Sequence, residues 1–197
     1  MDNFKNENLS KTLLSIAEEG FNGFYNGWVA SDLIKKLNSI GGNHTLKDFN
    51  NAAAEWLEPI DGNYRGIKIH EAPPNSQGLV ALIILAILER FNFNKMSKTN
   101  YTQIFCEATK IGYYLRDLYL ADAEYNRLSV DHFLNSEIID QYVSKIDMNK
   151  TKTYDKSDFP NHPDTIYLTV RDKNGMTISF INSLFDAFGS GITSPKS

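Results

Sequence analysis

Asp164-Thr165-Ile166-Tyr167-Leu168-Thr169-Val170-Arg171-Asp172-Lys173-Asn174-Gly175-Met176-Thr177-Ile178-Ser179-Phe180-Ile181 is the stretch on which the reading of this chain turns. Two β-type runs, Thr165 to Val170 and Met176 to Ile181, flank Asp172-Lys173-Asn174-Gly175. An Asn-Gly between two such runs is a strong hairpin signal. The residues just before it, Asp147 to Pro163, are polar, carry two prolines and read as an exposed loop. Thr165 is therefore a hydroxyl at a loop–strand junction. On spacing alone it reads as an ordinary strand threonine.

Upstream of the hairpin the pattern is helical. Leu9, Leu13, Ile16 and Ala17 repeat at helical spacing and Gly20 follows as a stop. Val29, Leu33, Leu37 and Ile40 form a second stripe that ends at Gly41-Gly42. Thr45-Leu46-Lys47-Asp48 resembles a capping box opening a short Ala-rich helix through Ala54. Glu58 to Gly62 reads as a turn, and Tyr64 to Glu71, with Ile67 and Ile69 alternating against Lys68 and His70, as one half-buried strand. Pro73-Pro74-Asn75-Ser76 stops that strand and offers Asn75 or Ser76 as N-cap for an apolar helix from about Gly78 to Phe91. Apolar on nearly every side, that helix is expected at the centre. Thr99 caps a longer helix through Leu120, with Ile104, Ala108, Ile111, Leu115 and Leu118 inward. Asn135 or Ser136 starts another, using Ile138, Ile139 and Val143.

Composition removes whole classes of function. Lys and Arg number 20 against 24 Asp and Glu, a net charge of −4 without a basic run, so the electrostatic footprint of a nucleic-acid binder is missing. Apolar residues at 42% and charged residues at 22% are ordinary for a globular chain, which argues against disorder. The single cysteine, Cys106, excludes an internal disulfide and a multi-cysteine metal site. The longest apolar run, Leu79 to Leu88, is far short of the ~20 residues of a membrane span. Met1-Asp2-Asn3-Phe4-Lys5-Asn6-Glu7 has no apolar signal-peptide core, which favours the cytoplasm over the periplasm.

Conventional motifs are not found. His44, His70, His132 and His162 have no pairwise spacing that puts two on one metal, and read as surface histidines. Cys106 lies within an amphipathic helix and reads as a buried, inert thiol. Gly189-Ser190-Gly191 lacks the spacing of a nucleotide loop. Arg116-Asp117 reads as a structural ion pair.

The segments around Thr165 resemble a known family. Asp164 to Val170, Asp172-Lys173-Asn174-Gly175, Phe180-Ile181-Asn182-Ser183-Leu184-Phe185 and Phe188-Gly189-Ser190-Gly191-Ile192 are similar to the start of the small subunit of the γ-glutamyltransferases (glutathione hydrolases). Phe24-Tyr25-Asn26-Gly27, Gly41-Gly42, Glu58-Pro59-Ile60 with Tyr64-Arg65-Gly66, Pro73 to Gly78, and Arg116-Asp117 with Tyr119-Leu120-Ala121-Asp122 follow the family's order and approximate spacing. Together, in order, these pieces are specific. The hairpin is closest to the branch called cephalosporin-acylase-like or glutathione-hydrolase-like.

The resemblance implies an α+β fold, part of an αββα N-terminal-nucleophile hydrolase sandwich, helix-rich first and closing on a β-hairpin. Residues 1–164 would be the end of a large-subunit-like region, and 165–197 the truncated start of a small-subunit-like one. The precursor would cut itself at Asp164–Thr165, and the Thr165 hydroxyl would then attack a γ-glutamyl amide. A threonine hydroxyl is a weak nucleophile until a neighbouring base takes its proton. Cleavage supplies that base as the new α-amino group, whose reference pKa of ~7.7–8.0 suits neutral pH. Such assistance is typically worth about 10²–10⁴-fold, and no histidine is required.

Ser183 matches the family's supporting hydroxyl, with serine in place of threonine. Phe185 stands where family members carry an asparagine for the substrate amino group, and Ile166 where they carry a second threonine. The family's arginine clamp falls before Met1; its acidic substrate ligands and Gly-Gly oxyanion hole fall after Ser197. A lone hairpin is only marginally stable, and one that arrives last after at most one earlier strand likewise suggests a truncated protein. The expectation is a fragment of a self-processing enzyme acting on a small γ-glutamyl substrate such as glutathione, with no cofactor, no metal, no nucleic acid and no membrane, and with the rest of both subunits as its missing partners. The competing readings are a non-catalytic truncated or split-gene product, and an acylase acting on other amides.

Overall fold

The computed structural model describes residues 5–52, 54–122, 125, 128–153, 166–184 and 188–197. The chain divides into two compact units, Trp56–Phe159 and a second formed by Met1–Glu55 with Pro160–Ser197.

In the unit Trp56–Phe159 everything is arranged around one helix, α5 (Gly78–Glu89). Leu79, Val80, Leu82, Ile83, Ile87 and Leu88 are all buried, as expected of a helix with no polar face. Helix α6 (Lys98–Tyr119) lies against it, with Ile104, Ala108, Ile111 and Leu115 inward. The two helices meet closely at Gly112, where an added Cβ would sit 2.7 Å from Ile84 Cγ1. Short helices α7 (Val130–Leu134) and α8 (Ser136–Val143) complete the core with Phe133 and Ile139. The Ser97 hydroxyl, rather than Thr99, caps α6 by accepting from the Asn100 N–H at 3.2 Å. Asn135 caps α8, its Oδ1 accepting from the N–H groups of Glu137 and Ile138. Two inward assignments fail: Leu118 is 52% exposed and Cys106 is exposed. Amphipathic spacing marks which residues share a stripe, but the width of the covered stripe depends on what packs against it.

The region read as a turn and one strand is a hairpin. Strands β1 (Ile60–Tyr64) and β2 (Ile67–Glu71) pair antiparallel, with Tyr64 opposite Ile67 and Ile60 opposite Glu71. The two-residue connection has positive φ at both positions, 53° at Arg65 and 79° at Gly66. That is the turn geometry whose twist suits a right-twisted hairpin. The hairpin packs on α5 at Gly62, where a Cβ would be 2.8 Å from Leu82 Cδ2.

In the other unit, α1 (Glu7–Glu19) is capped by Asn6, whose side chain accepts from the Leu9 N–H, and stops at Gly20 with φ 60°. Helix α2 (Phe21–Tyr25), not foreseen from the sequence, turns back against it. Ser15 donates to the Gly23 carbonyl at 2.8 Å, and a Cβ on Gly23 would lie 2.0 Å from the Ser15 carbonyl oxygen. The backbones touch there, so the covered face of α1 carries Thr12 and Ser15, while Leu9 and Leu13 are 46% and 56% exposed. Helix α3 (Trp28–Ser39) buries Val29 and Ala30 completely. The capping box exists, but it opens only α4 (Leu46–Asn50), which stops short of Ala54.

The end of the chain returns to these helices. The Lys196 N–H donates to Asp32 at 2.8 Å, and Asn8 donates to the Pro195 carbonyl at 3.2 Å. Strands β3 (Ile166–Arg171) and β4 (Thr177–Asn182) form the expected antiparallel hairpin, from Ile166 opposite Asn182 to Arg171 opposite Thr177.

Candidate active site

The β3–β4 hairpin is built by its turn. Asp172 Oδ1 accepts from the N–H groups of Asn174 (2.9 Å) and Met176 (2.8 Å), and Gly175 takes a φ of 89°. Successive strand residues point to opposite faces. One face carries Leu168, Val170, Ile178 and Phe180; the other carries Tyr167, Thr169, Thr177, Ser179 and Ile181. On the second face, Tyr167 Oη and Ser179 Oγ are 2.7 Å apart, and the Thr169 hydroxyl donates to Tyr167 Oη at 3.0 Å. A connected row of hydroxyls therefore runs along the hairpin. Ser183, exposed, follows the last residue of β4. Asp164, Thr165, Phe185 and His162 lie outside the described residues.

Other candidates resolve into structural roles. Arg116 Nε is 2.7 Å from Asp117 Oδ1, its Nη1 donates to Gln77 at 3.3 Å, and the guanidinium sits over the Tyr113 ring at 4.6 Å. It ties α6 to the start of α5, as the ion-pair reading expects. Asp61 on β1 meets Lys68 Nζ at 2.6 Å and His70 Nδ1 at 2.5 Å; the Lys68 bond leads in holding its carboxyl below the usual range. Among the described residues, no three His, Cys, Asp or Glu side chains gather as metal ligands would. No helix there is long and apolar enough to cross a membrane.

One group was missed from the sequence. Glu107 is buried on the inward face of α6, where Lys110, Thr151 and Lys152 surround its carboxylate. The signal was present: Glu107 lies three residues after Ile104 and four before Ile111, within the apolar stripe.

The comparisons with known proteins agree with this architecture. The whole chain, residues 1–197, matches the family described as gamma-glutamyltranspeptidase. It is 32% identical over 194 residues to the glutathione hydrolase-like YwrD proenzyme of Bacillus subtilis, covering 98% of this chain and 36% of that protein. It is 31% identical over 205 residues to the glutathione hydrolase proenzyme of Escherichia coli, covering 100% and 35%. Of solved structures, the cephalosporin acylase of Bacillus halodurans superimposes with a TM-score of 0.80 at 30% identity, over 98% of this chain and 35% of that one. The γ-glutamyltranspeptidase of Helicobacter pylori gives 0.65 at 27%, over 81% and 49%.

The fold is thus that of the α+β N-terminal-nucleophile hydrolases. Within that class the chain belongs to the γ-glutamyltranspeptidase family, and it spans a little over a third of the length of these curated relatives.

Proposed function

We propose that residues 1–197 are the part of a self-processing γ-glutamyl amide hydrolase or transferase that carries its nucleophile, Thr165. The observation that carries this reading is the match of the entire chain to a family whose relatives are named as proenzymes. In the first step, Thr165 Oγ attacks the Asp164 carbonyl carbon. The Asp164–Thr165 C–N bond breaks, and water hydrolyses the resulting ester. Residues 1–164 and 165–197 then belong to different chains, and Thr165 has a free α-amino group. That amine accepts the hydroxyl proton as the oxygen attacks the γ-glutamyl carbonyl. The leaving amine takes a proton, and water or an acceptor amine resolves the acyl-enzyme.

The β3–β4 register supports a role for Ser183 beside the start of β3. Ile166 is paired with Asn182, and Ser183 directly follows that pair. By strand alternation Ser183 would belong to the face that carries Tyr167, Thr169 and Ser179. The substrate in this reading is a small γ-glutamyl compound such as glutathione. A second reading, an acylase for other amides, is favoured by Phe185 and by the likeness to the Bacillus halodurans acylase.

The test uses the complete gene product that contains these residues. The parent should yield two chains, the smaller beginning at Thr165, while Thr165→Ala should persist as one. N-terminal sequencing decides, and a mature terminus elsewhere overturns the assignment. Assays of the processed protein with glutathione and with simple N-acyl amides separate the two substrate readings.

A further inference from the structure

Three residues on one face of α6 hold the chain that leads toward Asp164–Thr165. The Glu107 side chain is 1% exposed, and its Oε1 accepts from Lys110 Nζ and from the Thr151 hydroxyl, both at 2.8 Å. Both carboxylate oxygens lie 3.4 Å from the Lys152 nitrogen. Lys110 Nζ also donates to Thr151 Oγ1 at 2.6 Å and to the Lys152 carbonyl at 3.3 Å. One turn earlier, Gln103 Nε2 donates to the carbonyls of Asp147 and Lys150, each at 3.1 Å.

This cluster does something an apolar contact would not. A hydrophobic residue at 107 would continue the Ile104–Ile111 stripe without the desolvation penalty of a buried carboxylate. Residues 147–153 are all exposed, so no buried apolar side chain pins this segment, whereas Ile146 just before it packs against the core. The polar clamp is what fixes it. Burial pushes the Glu107 carboxyl up, but the bonds from Lys110 and Thr151 outweigh it and hold the carboxyl below its usual range, ionised and anchored at neutral pH.

We propose that Glu107 is a positioning residue for self-cleavage: by clamping Thr151 and Lys152 it fixes the point at which the chain leaves α6 on its way to the scissile bond. The proposal rests on the assignment of cleavage to Asp164–Thr165. Lys152 precedes Asp164 by twelve residues, and Ile146 precedes it by eighteen. Misplacement of a reacting group costs up to roughly 10²-fold.

The experiment follows the precursor half-life of the complete gene product by intact mass. Glu107→Ala is expected to lengthen it about tenfold or more, and Thr151→Val about threefold or more. Glu107→Gln, which keeps an acceptor for Thr151 and Lys152, is expected to recover part of the loss. The processed fraction of Thr151→Val should keep the parental kcat and KM, which a general loss of structure would not allow. Should Glu107→Ala fail to fold, the exposed Thr151→Val carries the test. Parental cleavage at another bond overturns the functional assignment and this inference with it. Cleavage of the parent at Thr165 with both variants within about twofold overturns the inference alone, as does a parallel fall in kcat of the processed variants.

Discussion

Ser183 and Glu107, each proposed to serve the chemistry at Thr165, are written into the sequence in very different ways. Ser183 is invisible to spacing; it was singled out by resemblance, and it follows the last residue of β4. If it bonds to the Thr165 hydroxyl, Ser183→Ala should lower kcat by roughly two- to twelvefold, the equivalent of one neutral hydrogen bond of ~0.5–1.5 kcal/mol, with processing intact. Steady-state kinetics on the processed enzyme measure this, and parental kcat would remove Ser183 from the site. Glu107 was the converse. Its place within the Ile104–Ala108–Ile111–Leu115 stripe is visible in the sequence, but its partners Thr151 and Lys152 come from more than forty residues away.

At the scale of elements, the long helices and the Asn174-Gly175 hairpin were legible because their signals are local: apolar periodicity, a Gly stop, a turn dipeptide. The β1–β2 hairpin was not, because its turn places an arginine where Asn or Asp is usual. Arg65 holds that left-handed conformation by bonding elsewhere. Its Nη2 donates to the carbonyls of Leu88 and Phe91 at the end of α5, its N–H donates to Glu89 at 2.9 Å, and its guanidinium lies 5.3 Å from the Tyr64 ring and 5.5 Å from the Phe93 ring. A cation at a helix C-terminus is stabilising, and charged hydrogen bonds contribute about 1.5–3 kcal/mol each when sheltered. The Arg65 side chain is 40% exposed, which discounts that figure. Arg65→Gly relieves about 1–2 kcal/mol of backbone strain and loses the cap. We expect a net destabilisation of about 1 kcal/mol, read as a lower urea midpoint. A midpoint equal to or above the parent's would mean that the strain outweighs every contact Arg65 makes.

At the scale of the whole molecule, the sequence showed helices followed by a hairpin, but not that both ends of the chain would share one unit. The bond from Lys196 to Asp32 spans 164 positions and leaves no local trace. The two units also differ in what holds them. Leu79, Ile83, Ile87, Leu88, Ile104, Ala108, Ile111, Leu115, Phe133 and Ile139 form one buried cluster, all of it within Trp56–Phe159. Each fully buried aliphatic or aromatic side chain contributes about 1.5–3 kcal/mol, so this unit has a core of its own. Among the described residues of the other unit, only Val29 and Ala30 are buried apolar side chains, while Leu9, Leu13, Leu14, Ile178 and Phe180 are exposed. Strand β4 is exposed along its whole length, in a sheet that has two strands among the described residues. Such a sheet is marginal in water, and its open edges invite pairing with other chains. We therefore expect residues 56–159, expressed alone, to be monomeric and to unfold in one cooperative transition. Residues 1–197 alone should associate, bind a hydrophobic dye, and neither cut at Asp164–Thr165 nor hydrolyse a γ-glutamyl anilide. Sedimentation, urea unfolding and intact mass after prolonged incubation measure these outcomes. A broad, non-cooperative transition for 56–159 would show that its core depends on the other unit, and a monomeric 1–197 that cleaves and turns over would show that its exposed faces need no further cover.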